Sequence, residues 1–278
     1  MKQTLLSFVF AISTFTFGQY EKGNTVVVWT KLKYKESLEG VEGVSPDHWR
    51  KSFNEIYQKT NKADNLLKSS LVLSHYWTGA SWEYHEVKEY RSIADADKSQ
   101  AEAGARNRKI WPDEEERRSA WQAVNKYRER GYHGDSHVWE NHVRYMKKRK
   151  NTSDTPARTV TTVVTRYWKP LGTVEDGSAE ERQKMMDKYH RQVTMQNDKV
   201  LSQRMVTHYW SGEMKNGEWP VTFITEFATM ADADDAETEA KLFEKAFKEK
   251  DAQKYGKYWF GKHEDIGVFY NETSFSKN

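Results

Sequence analysis

The chain carries an imperfect copy of itself. His75-Tyr76-Trp77 returns as His208-Tyr209-Trp210, 133 positions later, and Ile93-Ala-Asp-Ala-Asp97 returns as Met230-Ala-Asp-Ala-Asp234, 137 later. Trp82 and Trp219 share the second offset, so four residues must enter between these matches; Trp77 to Trp82 spans six letters and Trp210 to Trp219 ten. Farther on, His133-x-Asp135-x-x-Val138-x-x-Asn141 matches His263-x-Asp265-x-x-Val268-x-x-Asn271 at an offset of 130, the first copy being longer around Trp111-Pro112. Matches in one order, with gaps at turn or breaker positions, mark a duplication. A duplicated chain is expected to fold as two like units.

Local patterns give each unit the same order of elements. Residues 25–33 are Val-rich behind Gly23-Asn24 and read as a strand. Ser45-Pro46 then supplies an N-cap and a first-turn proline, and Trp49, Phe53, Ile56, Tyr57 and Thr60 set one apolar stripe on a helix expected to run to about Leu67. In the second copy Ser178 and Glu181 form a capping box ahead of the stripe Met185, Met186, Tyr189 and Val193. Residues 71–77 and 82–90 flank a short turn as a hairpin, a second helix starts at Ile93 and at Met230, and a last strand runs near Val138 and Val268. Strand, helix, strand, strand, helix, strand is the ferredoxin-like βαββαβ unit. The expected class is therefore α+β: two tandem ferredoxin-like repeats packed sheet to sheet, each covering the face that the other's helices leave bare. The expected boundaries are 1–18 for a signal peptide, 19–145 for the first repeat, 146–157 for a linker and 158–278 for the second repeat. The linker's basic run, Lys147 to Lys150, reads as a solvated connector.

This arrangement, with its aromatic-rich strands and with Glu89-Tyr90 and Glu226-Phe227 each leading into a capped helix, resembles the dimeric α/β-barrel superfamily, including antibiotic-biosynthesis monooxygenase-like and NIPSNAP-like domains. The resemblance implies two sheets facing each other, with room for a ligand between them. It also implies a choice of roles, since some members are cofactor-free oxygenases, some bind or degrade haem, and many have no known activity. The Asn, Trp and His of the haem-degrading members have no residue-by-residue counterpart here, so no catalytic residue is carried over.

Composition narrows the partners. A balance of 44 basic against 41 acidic side chains, net +3, lacks the basic excess of a nucleic-acid binder. With 31% charged residues and a mean hydropathy of −0.96 the chain is no multi-span membrane protein, and with 11 Trp it is no disordered one. The apolar run over residues 5–17, behind Lys2 and ending in small residues, reads as a secretory signal peptide cut before Gln19. The mature chain is then expected in a bacterial periplasm or secreted, without a membrane span. Absence of cysteine removes disulfides, thiolate zinc sites and lipoprotein anchoring.

Asp95, Asp97, Asp232 and Asp234 suggest a cation site, but Ser92-x-x-Asp95 and Thr229-x-x-Asp232 place each first aspartate where a helix N-terminus favours it, and no metal is expected. Strand alternation puts His75 with Trp77, and His208 with Trp210, on one face; if that face looks inward, these four line the space between the sheets. Glu89 and Glu226 occupy matching positions on the third strand of each unit, where a buried carboxylate could act as acid or base or close a salt bridge. His133 with Asp135 and His263 with Asp265 read as surface turns, while His85 and His137 are unmatched in the other copy, where Thr222 and Gly267 stand at the equivalent positions. The expected role is an exported protein that binds a small apolar or aromatic ligand between its sheets through His75, Trp77, His208, Trp210, Glu89 and Glu226. The alternatives are a cofactor-free monooxygenase or haem-handling enzyme on the same fold, and a periplasmic interaction module. The sequence names no cofactor, and no partner beyond the pairing of one repeat with the other.

Overall fold

The computed structural model describes residues 23–273 apart from 39, 43, 79–82, 134–135, 151–155 and 211–216, together with residue 277. The expected signal peptide, Trp82, Asp135 and part of the expected linker lie outside the described residues. In chain order the elements are β1 (Thr25–Tyr34), α1 (Pro46–Ala63), β2 (Leu67–His75), β3 (Glu83–Tyr90), α2 (Ile93–Ile110), α3 (Glu114–Asn125), β4 (Arg128–His133) and β5 (His137–Asn141). They continue as β6 (Arg158–Trp168), α4 (Ala179–Tyr189), β7 (Val200–His208), β8 (Trp219–Phe227), α5 (Met230–Ala233), α6 (Ala236–Ala246), α7 (Glu249–Gly256) and β9 (Trp259–Glu272). Among the described residues no helix is long and apolar enough to cross a membrane.

All strand pairs are antiparallel, in the order β3-β2-β9-β6-β8-β7-β5-β1-β4, and β3 also pairs with β1. That last pairing closes the ladder into a ring, with β4 set beside the end of β1 through Leu32↔His133 and Tyr34↔Arg128. Two short seams join the residues before the linker to those after it. β2 meets β9 at Leu73↔Asn271, Ser74↔Tyr270 and His75↔Phe269, and β5 meets β7 at Trp139↔His208, Glu140↔Thr207 and Asn141↔Val206. The sheets thus do more than face each other: their edges are hydrogen-bonded over three residues at each seam.

Period-two alternation then sorts side chains to two faces. Inside, Val27, Leu71, Leu73, Val87, Val163, Val206, Ile224 and Phe269 form one cluster that contains no helix residue. Outside, Leu32, Tyr34, Val72 and Tyr84 pack under Trp49, Phe53 and Ile56 of α1 and Val124 of α3. The second outer core sets Trp168, Met205, Val221 and Trp259 against Met185, Met186, Tyr189, Val193, Phe247 and Tyr255. Each fully buried side chain of this kind contributes about 1.5–3 kcal/mol relative to exposure.

The helix caps form as their sequences predict. Ser45 Oγ accepts from the His48 amide, Ser92 Oγ from Asp95, Ser178 Oγ from Glu181 and Thr229 Oγ1 from Asp232, at 3.0–3.3 Å. Three readings need correction. The first helix stops at Ala63, because Asp64 Oδ1 accepts the Leu66 and Leu67 amides and bends the chain into β2. The capping box of α4 is half made: the Ser178 amide donates to Tyr258 Oη, and the Glu181 carboxylate turns to Lys254, Lys257 and Tyr258. Those two ammonium groups hold the Glu181 pKa at about 2. His263 and Asp265 lie in an exposed stretch of β9 rather than in a turn.

The basic run of the linker is no free connector either. The Lys147 backbone pairs with Gln203 in both directions, its Nζ donates to the Thr194 and Asn197 carbonyls, and Arg149 forms an ion pair with Glu226. The run alternates like a strand, so Lys147 and Arg149 turn inward while Lys148 and Lys150 stay exposed. Four like charges in a row hide that alternation at the sequence level. At the β2–β9 seam Gly267 is required by space: a Cβ there would lie 2.5 Å from Thr78 Oγ1 and 2.6 Å from the Phe269 ring.

Candidate functional site

Glu89 and Glu226 are buried at one end of the barrel, each in a closed set of donors. Glu89 accepts from Thr25 Oγ1 (2.8 Å), Ser69 Oγ (2.6 Å) and Asn141 Nδ2 (3.4 Å), with Arg204 Nε at 4.0 Å. Glu226 accepts from Thr159 Oγ1 (2.6 Å), Ser202 Oγ (2.7 Å), Asn271 Nδ2 (2.9 Å) and Arg149 Nη1 (2.8 Å). Both sets are therefore a Thr, a Ser, an Asn, a Glu and an Arg. A carboxylate so surrounded holds its neighbours, the guanidinium groups among them, in place, and most of its lone pairs are used.

The four other expected residues do not join this site. β2 ends at His75 and β7 at His208, and beyond them a backbone bond from Trp77 to the Val268 carbonyl and one from Trp210 to the Val138 carbonyl do not sustain the alternation expected to put both tryptophans on the inner face. Trp77 is 71% and Trp210 66% exposed. His75 is exposed and its Nδ1 sits 3.0 Å from the Thr78 carbonyl. His208 is half-buried, with its ring edge-on to Trp219. Between the sheets, where a ligand was expected, stands the apolar inner cluster.

His85 is the histidine that does turn inward. Its Nδ1 accepts the Trp29 indole N–H at 2.8 Å, and its ring lies against Trp29 and Phe269. Burial, helped by the nearby Lys31 ammonium and opposed by Glu83, lowers its pKa to about 4. At neutral pH it is an uncharged ring that serves as an acceptor.

A cavity of about 360 Å³ opens elsewhere, between the outer face of the sheet and the helices of the second half. β6 supplies Arg166, α4 Tyr189, α6 Glu239 and Phe243, α7 Tyr255 and β9 Trp259. Tyr189 and Tyr255 stack at 5.2 Å, with Phe243 and Trp259 inclined to Tyr255. Tyr189 Oη donates to Glu239 at 2.5 Å. Burial raises the pKa of both phenols, that of Tyr255 to about 12 despite the neighbouring guanidinium, so both are neutral at physiological pH. Arg166 lies 4.5 Å from the centre of the Trp259 ring and makes one long hydrogen bond, 3.5 Å to Tyr255 Oη. No carboxylate stands within ion-pair distance of it among the described residues. Sequence reasoning placed Tyr189 in an apolar stripe and missed the rest. The available signal was an arginine two residues before Trp168 on the helix-facing side of a strand.

No family model matches the chain, and no curated protein matches it. Solved structures similar to it include a proposed monooxygenase from Lactobacillus acidophilus NCFM, at 12% identity over 89% of this chain and 93% of that one, with a TM-score of 0.48. An anthrone oxidase-like protein has 11% identity over 90% and 91%, with a TM-score of 0.41. A mutant chlorite dismutase from Candidatus Nitrospira defluvii has 8% identity over 90% and 94%, with a TM-score of 0.45.

Proposed function

We propose that the protein binds a small aromatic ligand bearing an anionic group, and that it does so in the outer cavity of its second half rather than between the sheets. Arg166 carries this reading. A half-buried guanidinium over an indole, without a carboxylate partner, offers a planar fork to an oxyanion, and charge-assisted hydrogen bonds of this kind are worth about 1.5–3 kcal/mol each. Tyr189, Phe243 and Tyr255 supply faces for a ring, at about 0.5–1.5 kcal/mol per well-set aromatic pair. The volume equals roughly a dozen water molecules, which suits a fused two-ring acid.

The probe is 1-naphthoate, titrated into the full chain by calorimetry beside its neutral analogue 1-naphthalenemethanol. Saturable binding of the acid, weakened at least about tenfold by Arg166→Gln while the alcohol is unaffected, is the expected result. Equal binding of the acid by protein and variant would remove the basis for the proposal.

The haem-handling alternative fits this cavity poorly. Its described lining residues include no His, Cys or Met, and its two phenols are engaged with Glu239 and Arg166, which leaves no axial ligand for iron. An oxygenase without cofactor would need a base free to ionise its substrate, whereas Glu239 already accepts the Tyr189 hydrogen bond.

Two wider readings belong with this one. The chain is one βαββαβ unit written twice, its halves closing as two separate chains otherwise would; the matched sets around Glu89 and Glu226, and two seams that both run through an asparagine, Asn141 and Asn271, support it. The chain is also exported, on the pattern of residues 1–18. Intact-mass analysis of protein from a bacterial periplasmic extract should then show an N-terminus at Gln19, and recovery only of cytosolic protein that keeps Met1 would refute export.

A further inference from the structure

We propose that the barrel end carrying Glu89 and Glu226 is a second, separate binding site, which takes a small aliphatic carboxylate between Arg149 and Arg204. A cavity of about 270 Å³ opens there, with Ser69, Leu71, Met146, Arg149 and Arg204 on its wall and Lys68 and Lys148 among the residues that line it. It lies on the inner face of the sheet, so it shares no residue with the Arg166 cavity.

Guanidinium donors remain unspent at this end, beside one buried acceptor without a partner among the described residues, Asn141 Oδ1. A guanidinium has five N–H groups. Arg149 spends one on Glu226, and its Nε, on a side chain 7% exposed, is buried with no partner among the described residues. Arg204 donates one hydrogen bond, to Ser69 Oγ, and stands 4.0 Å from Glu89. Most of the carboxylates' capacity is already taken, because their oxygens accept from Thr25, Ser69, Thr159, Ser202, Arg149 and the two asparagine amides. They do fix the guanidinium groups in place, so a ligand meets a preorganised fork.

Charge points the same way. Two arginines and two glutamates balance, and the exposed Lys68 and Lys148 then leave the mouth net positive. Burial also lowers the Arg204 pKa, with Glu89 and Glu226 acting against it, which marks a cation short of solvation. Leu71, Val143 and Met146 give an apolar wall, so the ligand with most to gain has a carboxylate head and a short hydrocarbon body. The space equals roughly nine water molecules, enough for a six-carbon chain.

The test titrates the full chain with hexanoate and with 1-hexanol by calorimetry. Hexanoate should bind saturably, and hexanol at least about tenfold more weakly. Arg149→Lys keeps the charge but loses Nε, and should weaken hexanoate at least about tenfold. Because a change at Arg149 also touches Glu226, Met146→Trp provides a second variant: it fills the cavity, touches neither ion pair directly although it replaces the sulfur that Asn141 Nδ2 meets at 3.7 Å, and should abolish binding in a protein that still unfolds cooperatively. Arg166→Gln should leave hexanoate binding as it is, so failure of the outer site and failure of this one are told apart. No saturable heat up to about 10 mM, hexanol binding as tightly as hexanoate, or hexanoate binding undiminished in Met146→Trp would each overturn the proposal.

Discussion

Glu226→Ala is expected to cost about 3–5 kcal/mol of folding free energy, a large share of the roughly 5–15 kcal/mol that a domain has in all. The reason is what the change leaves behind. Arg149 would keep a full charge on a side chain only 7% exposed, and Thr159, Ser202 and Asn271 would each lose the acceptor they donate to. Breaking a buried pair by removing one partner is far more harmful than never having had the pair. Four strands, β6 to β9, and the segment after β5 meet at this one carboxylate, so the loss should lower the cooperativity of unfolding as well as its midpoint. Urea unfolding followed by far-UV circular dichroism measures both. Glu226→Gln retains an acceptor oxygen and should lose visibly less. A loss under about 1 kcal/mol for the alanine variant would mean that solvent reaches Arg149 freely, against its burial.

Acid should weaken the fold through His85 before most carboxylates titrate. In the unfolded chain this imidazole takes its proton near pH 6.5, and in the barrel only near pH 4. Between those values the unfolded state binds more protons, so stability falls as pH falls. Its contribution is intact above about pH 6.5 and is lost progressively down to about pH 4. Two to three units of difference correspond to about 2–3 kcal/mol by pH 4.5. The structural cause is burial, together with an indole N–H aimed at the nitrogen that would have to accept the proton. Unfolding free energies at pH 7.5 and 4.5, for the protein and for His85→Gln, isolate the effect from carboxylates common to both. The variant should show a flatter profile by that amount, and parallel profiles would place the His85 ring in contact with water.

Local structure was legible in the sequence because it is written locally. Ser45, Ser92, Ser178 and Thr229 announce helix starts through bonds that reach three residues, and alternation in residues 25–33 announces a strand. Ring closure was not legible, since edge-to-edge pairing over three residues per seam leaves no periodic trace. Alternation also misled where a strand stopped: nothing in His75-Tyr76-Trp77 says that the ladder ends at the histidine. Glu89 and Glu226 were found by their repetition, yet their arginine partners were not, because Arg149 sits in a basic run that reads as solvated and Arg204 in a strand otherwise rich in apolar residues. The Arg166 cavity is the hardest case. It draws on five elements spread from β6 to β9, and only tertiary packing brings them together.

The direction of the strands has a practical corollary. β1 begins beside Glu89, through Thr25, and β9 finishes beside Glu226, through Asn271. The start of the first strand and the end of the last therefore lie at the arginine-bearing mouth, whereas Trp77 and Trp210 stand at the far rim. A fluorophore or surface tether placed at either of those two strand ends would crowd the first opening and leave the tryptophan rim unobstructed, so immobilised protein would present that rim outward.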